Sequence, residues 1–146
     1  MNNSEQSDIA DRNAIFKKLN ITAMQAPGFK LLTVMDLDLD EQVARRAYSS
    51  NHKVYPTSGT KPIVRTQWFK DVVEGQKPFL ANYPEQMGDQ FPDLEFIKTL
   101  GCGAIVNVPV IKNGKTVAVI NILHEGGYFT PERYAQALQL AKLLKY

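Results

Sequence analysis

The side chains best suited to nucleophilic or metal chemistry are the single cysteine, Cys102, and the two histidines, His52 and His124. A thiol can serve as a nucleophile or redox sensor, and thiolates and imidazoles bind zinc. No second Cys or His stands at metal-ligand spacing from any of them, and no Gly-x-Ser-x-Gly motif occurs. Cys102 follows a predicted helix over 92–100, where the negative end of the helix dipole disfavours a thiolate. We therefore predict a buried, unreactive cysteine and no catalytic residue.

A run of carboxylates begins with Asp36, Asp38 and Asp40, whose alternation resembles the start of a calcium loop. An EF-hand loop would need glycine where Glu41 stands and a carboxylate where Ala47 stands. The run therefore indicates a solvated hairpin loop, and no metal site is predicted.

The region around Asn113-Gly114 carries the strongest structural signal. It joins two apolar runs, 104–111 and 116–123, and both turn residues tolerate the positive φ of a type I′ turn. This pattern predicts two long antiparallel strands. Since both faces of the pair are largely apolar, we expect both to be covered.

Alternation along these strands predicts which side chains share a face. If Lys112 pairs with Lys115, then Asn121 and Leu123 lie on the face that also carries Val106 and Val108, and Asn107 lies on the opposite face. A lone polar Asn121 within an apolar face suggests a small-molecule pocket.

Other elements follow from hydrophobic periodicity, caps and breakers. The predicted helices are a first one capped by Ser7 or Asp8, one over 60–75, short pieces over 84–91 and 92–100, and a last one capped by Thr130; the predicted additional strands are 29–37, 43–50 and 78–82. This order predicts an α+β fold with a central antiparallel sheet of five to six strands. We expect one domain over residues 1–146, with 1–6 disordered.

Charge and composition argue against nucleic-acid-binding and membrane-bound classes of protein. The net charge of +2 is spread along the chain, which is not the pattern of a nucleic-acid-binding surface. No stretch of 18 apolar residues and no signal-peptide pattern occurs, so no membrane partner is expected. One cysteine cannot form an internal disulfide, and we predict a cytoplasmic protein.

Several of these segments together resemble GAF domains, the sensory modules that bind small ligands. The resemblance is carried by Arg46–Ser50, Val106–Val110, the Gly114 turn, Val117–Leu123 before the capped last helix, Tyr55–Pro62 with Trp68, and the pair His124-Glu125. The last two features are similar to a group of short stand-alone GAF proteins of uncharacterised role. The resemblance implies terminal helices on one sheet face and a cavity between the other face and residues 55–100.

Known GAF activities can be compared with these residues. The signatures of cyclic-nucleotide binding and of bilin attachment are absent. The free methionine-R-sulfoxide reductases use several cysteines and carboxylates, but their carboxylate positions fall on Ile105, Asn121 and Leu123, and Cys102 is the one thiol. The resemblance thus favours a small-molecule-binding regulatory domain whose ligand and cofactor stay unknown. An enzyme related to these reductases is the alternative, and a dimerisation module with a filled cavity is the third reading.

The expected ligand-binding residues are those that alternation and the resemblance place around one cavity. They are Tyr48, Tyr55, Trp68, Phe91, Cys102, Asn121 and Leu123.

The terminal helices carry more apolar width than packing on one sheet requires. These residues are Ile9, Phe16 and Leu19 in the first helix, and Tyr134, Leu138, Ala141 and Leu144 in the last, with Leu140 and Leu143 on a neighbouring face. Related GAF domains are similar in pairing through these helices, so we predict a homodimer, with a small molecule as the other partner.

Overall fold

The computed structural model describes residues 3–146 and shows an α+β fold built on one antiparallel sheet. Its strands are β1 (Leu31–Asp38), β2 (Val43–Ser49), β3 (Lys61–Pro62), β4 (Phe79–Ala81), β5 (Ala104–Lys112) and β6 (Lys115–His124). Its helices are α1 (Asn3–Gln25), a π-helix (Phe69–Glu74), α2 (Leu94–Thr99), α3 (Pro131–Gln139) and 3₁₀ turns at Pro84–Gln86, Gly88–Gln90 and Leu140–Leu143. The predicted fold class is confirmed.

Six strands follow one another in the order β3-β2-β1-β6-β5-β4, and each neighbouring pair is antiparallel. The long strands β1, β6 and β5 occupy the centre. Both edges are short, because β3 has two residues and β4 has three.

One face of the sheet, here called the helix face, packs against α1 and α3. Its buried core includes Phe16, Leu19, Val34, Val106, Val108, Ile120, Ile122, Ala137 and Leu140. The other face, here called the cavity face, is covered by the π-helix and the segment that leads through α2. A two-sided cover explains why β5 is buried along most of its length.

The β5–β6 hairpin turns at Asn113 and Gly114, whose φ values of 52° and 78° are those of a type I′ turn. Lys112 pairs with Lys115 as predicted. A bulge then interrupts the register: Val110 lies opposite Ala118, so Val117 has no partner across the pair.

This bulge corrects the predicted faces. One extra residue in β6 reverses the face of everything beyond it, so Asn121 lies opposite Asn107 and on the same face. Val106 and Val108 lie on the helix face, where they meet Ile122 and Ile120.

A second bulge lies between β1 and β2. Val34 pairs with Tyr48 and Met35 pairs with Arg46, which leaves Ala47 as the extra residue. Tyr48 therefore faces the opposite side of the sheet from Arg46.

The predicted helix over 60–75 is wrong in its first half. Lys61–Pro62 instead pairs with β2 as the edge strand β3, a position where Pro62 need not donate a hydrogen bond. The following helix has π geometry, and the amide of Gly75, where the helix ends as predicted, donates to the Lys70 carbonyl oxygen at 2.8 Å.

Helices lie near both ends of the described chain. The first helix begins at Asn3, earlier than the predicted caps. Residues 1–2 lie outside the described range, and the disorder predicted for residues 1–6 stays a prediction. In α3 the cap is as predicted, because Thr130 Oγ1 accepts a hydrogen bond from the Arg133 amide at 3.2 Å.

Within residues 3–146, none of the helices combines the length and the apolar character needed to span a bilayer.

Candidate functional site

A cavity of about 340 Å³ lies on the cavity face, beneath the segment that runs from Tyr55 to Ile97. This volume is at the small end of the range for ligand pockets, about 300–1,000 Å³. The walls are mainly apolar and aromatic: Met35, Trp68, Phe91, Ile97, Ile105 and Leu123. Such a site fits a molecule of metabolite size.

Three polar residues, here called the floor of the cavity, are linked by hydrogen bonds: Thr33, Asn107 and Asn121. Trp68 Nε1 donates to Asn107 Oδ1 at 2.9 Å, and Asn107 Nδ2 donates to Asn121 Oδ1 at 2.6 Å. Asn121 Nδ2 in turn donates to Thr33 Oγ1 at 3.1 Å. These hydrogen bonds give partners to polar groups that would otherwise be unpaired inside the core.

Strand register is what brings the floor together. Thr33 in β1 and Asn107 in β5 both lie directly opposite Asn121 in β6. Side chains at directly opposite positions of antiparallel strands are close enough to bond. Asn107 is only 1% exposed, so its amide depends on these partners.

The rim of the cavity, here Arg46, Tyr55, Lys61 and Asp93, is polar. The guanidinium of Arg46 lies 3.7 Å from the centre of the Tyr55 ring, and the Tyr55 hydroxyl donates to the Asp93 carboxylate. Burial, together with the bond to Asp93, raises the pKa of Tyr55 to about 12. Tyr55 therefore keeps its proton at neutral pH and ties the 51–60 loop to the start of α2.

Gln90 also lines the cavity, and its Oε1 atom is buried without a hydrogen-bond partner among residues 3–146. Buried acceptors left unpaired are uncommon in native proteins and costly. Water in the open cavity or a donor from a bound molecule would satisfy this oxygen.

Five of the seven predicted site residues line this cavity. They are Tyr55, Trp68, Phe91, Asn121 and Leu123. The other two, Tyr48 and Cys102, lie elsewhere.

Tyr48 is placed on the helix face by the bulge at Ala47. Its ring stacks on Phe16 with 5.3 Å between centroids, and its hydroxyl accepts from Asn20 Nδ2 at 2.6 Å. Unbroken alternation along β2 would put Tyr48 on the same face as Arg46, and the one inserted residue reverses this.

Cys102 lies beyond the cavity wall, 2% exposed and in one apolar cluster with Ile105 and Leu123. Burial raises the pKa of the thiol, against the opposing charge of Lys30. The cysteine is buried, as predicted, and it is a packing residue rather than part of the lining.

Sequence reasoning missed Thr33, Asn107, Gln90 and the basic residues of the rim. Asn107 carried a usable signal, because two asparagines within two facing apolar strands have to find polar partners. Arg46 and Lys61 carried none, since an isolated basic residue in a strand or loop is ordinary on any surface.

The residue positions that the reductases use for catalysis can be compared with the lining of this cavity. The three positions where those enzymes carry carboxylates, Ile105, Asn121 and Leu123, all border the cavity, and none is acidic here. Asp93 is the one carboxylate of the described lining. Nowhere in residues 3–146 do three His, Cys, Asp or Glu side chains group as a metal site.

No protein-family model and no curated protein matches the sequence. Solved structures do match. The chain is similar to the GAF domain of a sensor histidine kinase from Bacillus halodurans, with 14% identity, a TM-score of 0.70, and 90% of this chain and 89% of that chain covered.

Two further structures show the same similarity. A GAF domain region of a putative membrane protein from Geobacter sulfurreducens has 14% identity and a TM-score of 0.69, with 96% and 97% of the two chains covered. The blue-light-absorbing PixJ GAF domain from Thermosynechococcus elongatus has 18% identity and a TM-score of 0.68, with 92% and 83% covered.

Proposed function

The chain has the GAF fold, and from this premise we propose that it is a regulatory domain that binds a small molecule in the cavity above β1, β6 and β5. GAF domains with the same fold occur in a sensor kinase and in a photoreceptor, which supports a sensory role. The proposal keeps the cytoplasmic location predicted from the sequence.

The observation that carries the proposal is the open cavity itself, with its mainly apolar and aromatic walls. A volume of about 340 Å³ is far larger than a packing defect, and Gln90 Oε1 lacks a partner within the described chain. The third reading, a module whose cavity is filled by side chains, loses support for the same reason.

Mass spectrometry of small molecules released from the purified native protein tests this function. We expect one molecule at close to one equivalent per chain, and none from Ala44→Trp, because Ala44 lines the cavity and an indole there would occupy the space. Ala10→Trp, on the exposed surface of α1, is the matched control and should retain the molecule. Equal loads in the wild type and Ala44→Trp would contradict binding in this cavity.

Signal output is proposed to pass through a homodimer formed by the terminal helices. Leu140 does not contribute to such an interface, since it is 2% exposed and covers the sheet. The outer surface of α1 does offer apolar area, because Ile21 and Met24 are 52% and 64% exposed.

Light scattering of Ile21→Lys/Met24→Lys tests the dimer. Two buried charges would disrupt an apolar interface, so we expect a dimer mass for the wild type and a monomer mass for the variant. Val64→Lys is the control, because Val64 is 74% exposed and belongs to neither terminal helix. A monomer mass for the wild type across the micromolar range would refute this route.

A further inference from the structure

Charge is concentrated at the rim of the cavity. Two of its residues, Arg46 and Lys61, are basic, and Asp93 is the one acidic residue among them. With two cations and one carboxylate, the rim has a net positive charge. A cleft with apolar walls concentrates the field of such charges and attracts anions.

The basic groups of the rim are available to a ligand. Lys61 forms no ion pair with any residue in the range 3–146. Arg45, which precedes Arg46 in β2, points to the helix face instead and lies 3.5 Å from Asp36. Arg46 donates Nη1 to the Pro56 carbonyl oxygen at 2.8 Å, which uses one of the five N–H groups of the guanidinium.

Contacts at the rim also hold the Arg46 side chain in place and weaken the repulsion between the Asp93 carboxylate and an anion. The Tyr55 ring supports the Arg46 guanidinium from one side, so little rotamer freedom is lost when a ligand binds. The Asp93 carboxylate already accepts the Tyr55 hydroxyl, which reduces its repulsion of an incoming anion.

Below the rim the cavity is aromatic. Trp68 and Phe91 lie edge to face with 6.5 Å between their centroids, beside Ile105 and Leu123. These surfaces suit a flat apolar group rather than a sugar or a polar chain.

Resting on the proposed function, we propose that the ligand is a small organic acid: its anionic group binds Arg46 and Lys61 at the rim, and its apolar, ring-sized body lies against Trp68 and Phe91. Neither the fold nor the resemblance specifies this chemical class. It follows from the rim charges and the aromatic walls of this chain.

The test compares two probes of the same shape, 3-phenylpropanoate and its uncharged amide 3-phenylpropanamide. Trp68 is the single tryptophan and lines the cavity, so its fluorescence reports binding directly. We expect the acid to bind about tenfold more tightly than the amide, the usual effect of charge-assisted hydrogen bonds.

Three variants locate the preference. Arg46→Gln and Lys61→Gln should each weaken binding of the acid and leave the amide unchanged. Lys53→Gln, which removes the same charge from a nearby loop residue outside the lining, should behave as the wild type. Lys61 is exposed and its side chain makes no hydrogen bond or ion pair within the described chain, so Lys61→Gln should fold normally. It can therefore test the inference even if Arg46→Gln is unstable.

The outcomes separate this inference from the proposed function. Equal affinity for acid and amide in the wild type, or an uncharged molecule released from the native protein, would overturn the anion inference and leave the binding function standing. Failure of both probes to bind, with no molecule released, would overturn both.

Discussion

Replacing Asn107 with leucine tests the hydrogen-bonded floor. The variant leaves two groups without their partners, the indole N–H of Trp68 and the Oδ1 of Asn121. Each unpaired buried group costs about 1–3 kcal/mol. Because Trp68 and Asn121 are half-buried beside a cavity that water can enter, we take the lower part of that range and expect a total loss of about 2–4 kcal/mol.

Urea unfolding followed by Trp68 emission and by circular dichroism measures this loss. At about 3 °C per kcal/mol for a domain of this size, the midpoint of thermal unfolding should fall by about 6–12 °C. The emission of Trp68 in the folded state should also shift, because the indole loses its acceptor.

The double variant Asn107→Leu/Asn121→Leu is the control for coupling. Removing both amides eliminates the unpaired Asn121 oxygen, so the double variant should lose less than the sum of the two single losses. A single loss below about 0.5 kcal/mol, or additivity within about 0.5 kcal/mol, would refute the reasoning that these asparagines depend on each other.

Three further variants extend the test to other parts of the chain. Cys102→Ser should leave binding of the probes unchanged and cost about 1–3 kcal/mol, measured by urea unfolding, since a hydroxyl replaces a buried thiol outside the lining. Asp36→Asn should cost about 1–3 kcal/mol by the same measurement, because the carboxylate binds the Arg12 guanidinium at 2.9 Å and the Tyr146 hydroxyl at 2.6 Å, and the loss should shrink at high salt. Stability should fall as pH rises from 10.0, where an unfolded tyrosine ionises, through about 12, where folded Tyr55 ionises, and Tyr55→Phe should lack this part of the fall in a pH series of unfolding curves.

The backbone plan was largely readable from the sequence because its signals are local. Asn113-Gly114 specifies a turn by backbone conformation alone, and Thr130 caps α3 through one side chain. The helix expected over 60–75 is an exception, because its first residues pair with a distant strand. Lys61–Pro62 pairs with the edge of β2 instead of forming a helix.

The site was predicted only in part because two bulges decide it. The extra residues, Ala47 and Val117, are small or apolar and look like any other strand residue, so nothing in their type marks a break in alternation. One break moved Tyr48 away from the cavity, and the other brought Asn107 to Asn121. The aromatic residues Trp68 and Phe91 do line the cavity, because they lie in the covering segment, whose position does not depend on strand register.

The pairing of β1 with β6 has a consequence for how the protein folds. Each hairpin, β1–β2 and β5–β6, joins strands close in sequence, whereas the Thr33–Asn121 hydrogen bond joins residues 88 positions apart. Closing so long a loop is entropically expensive, and contacts of this kind slow folding. The floor of the cavity is therefore completed only when the two hairpins dock, so a partly folded chain has no binding site and a bound molecule stabilises the finished sheet alone.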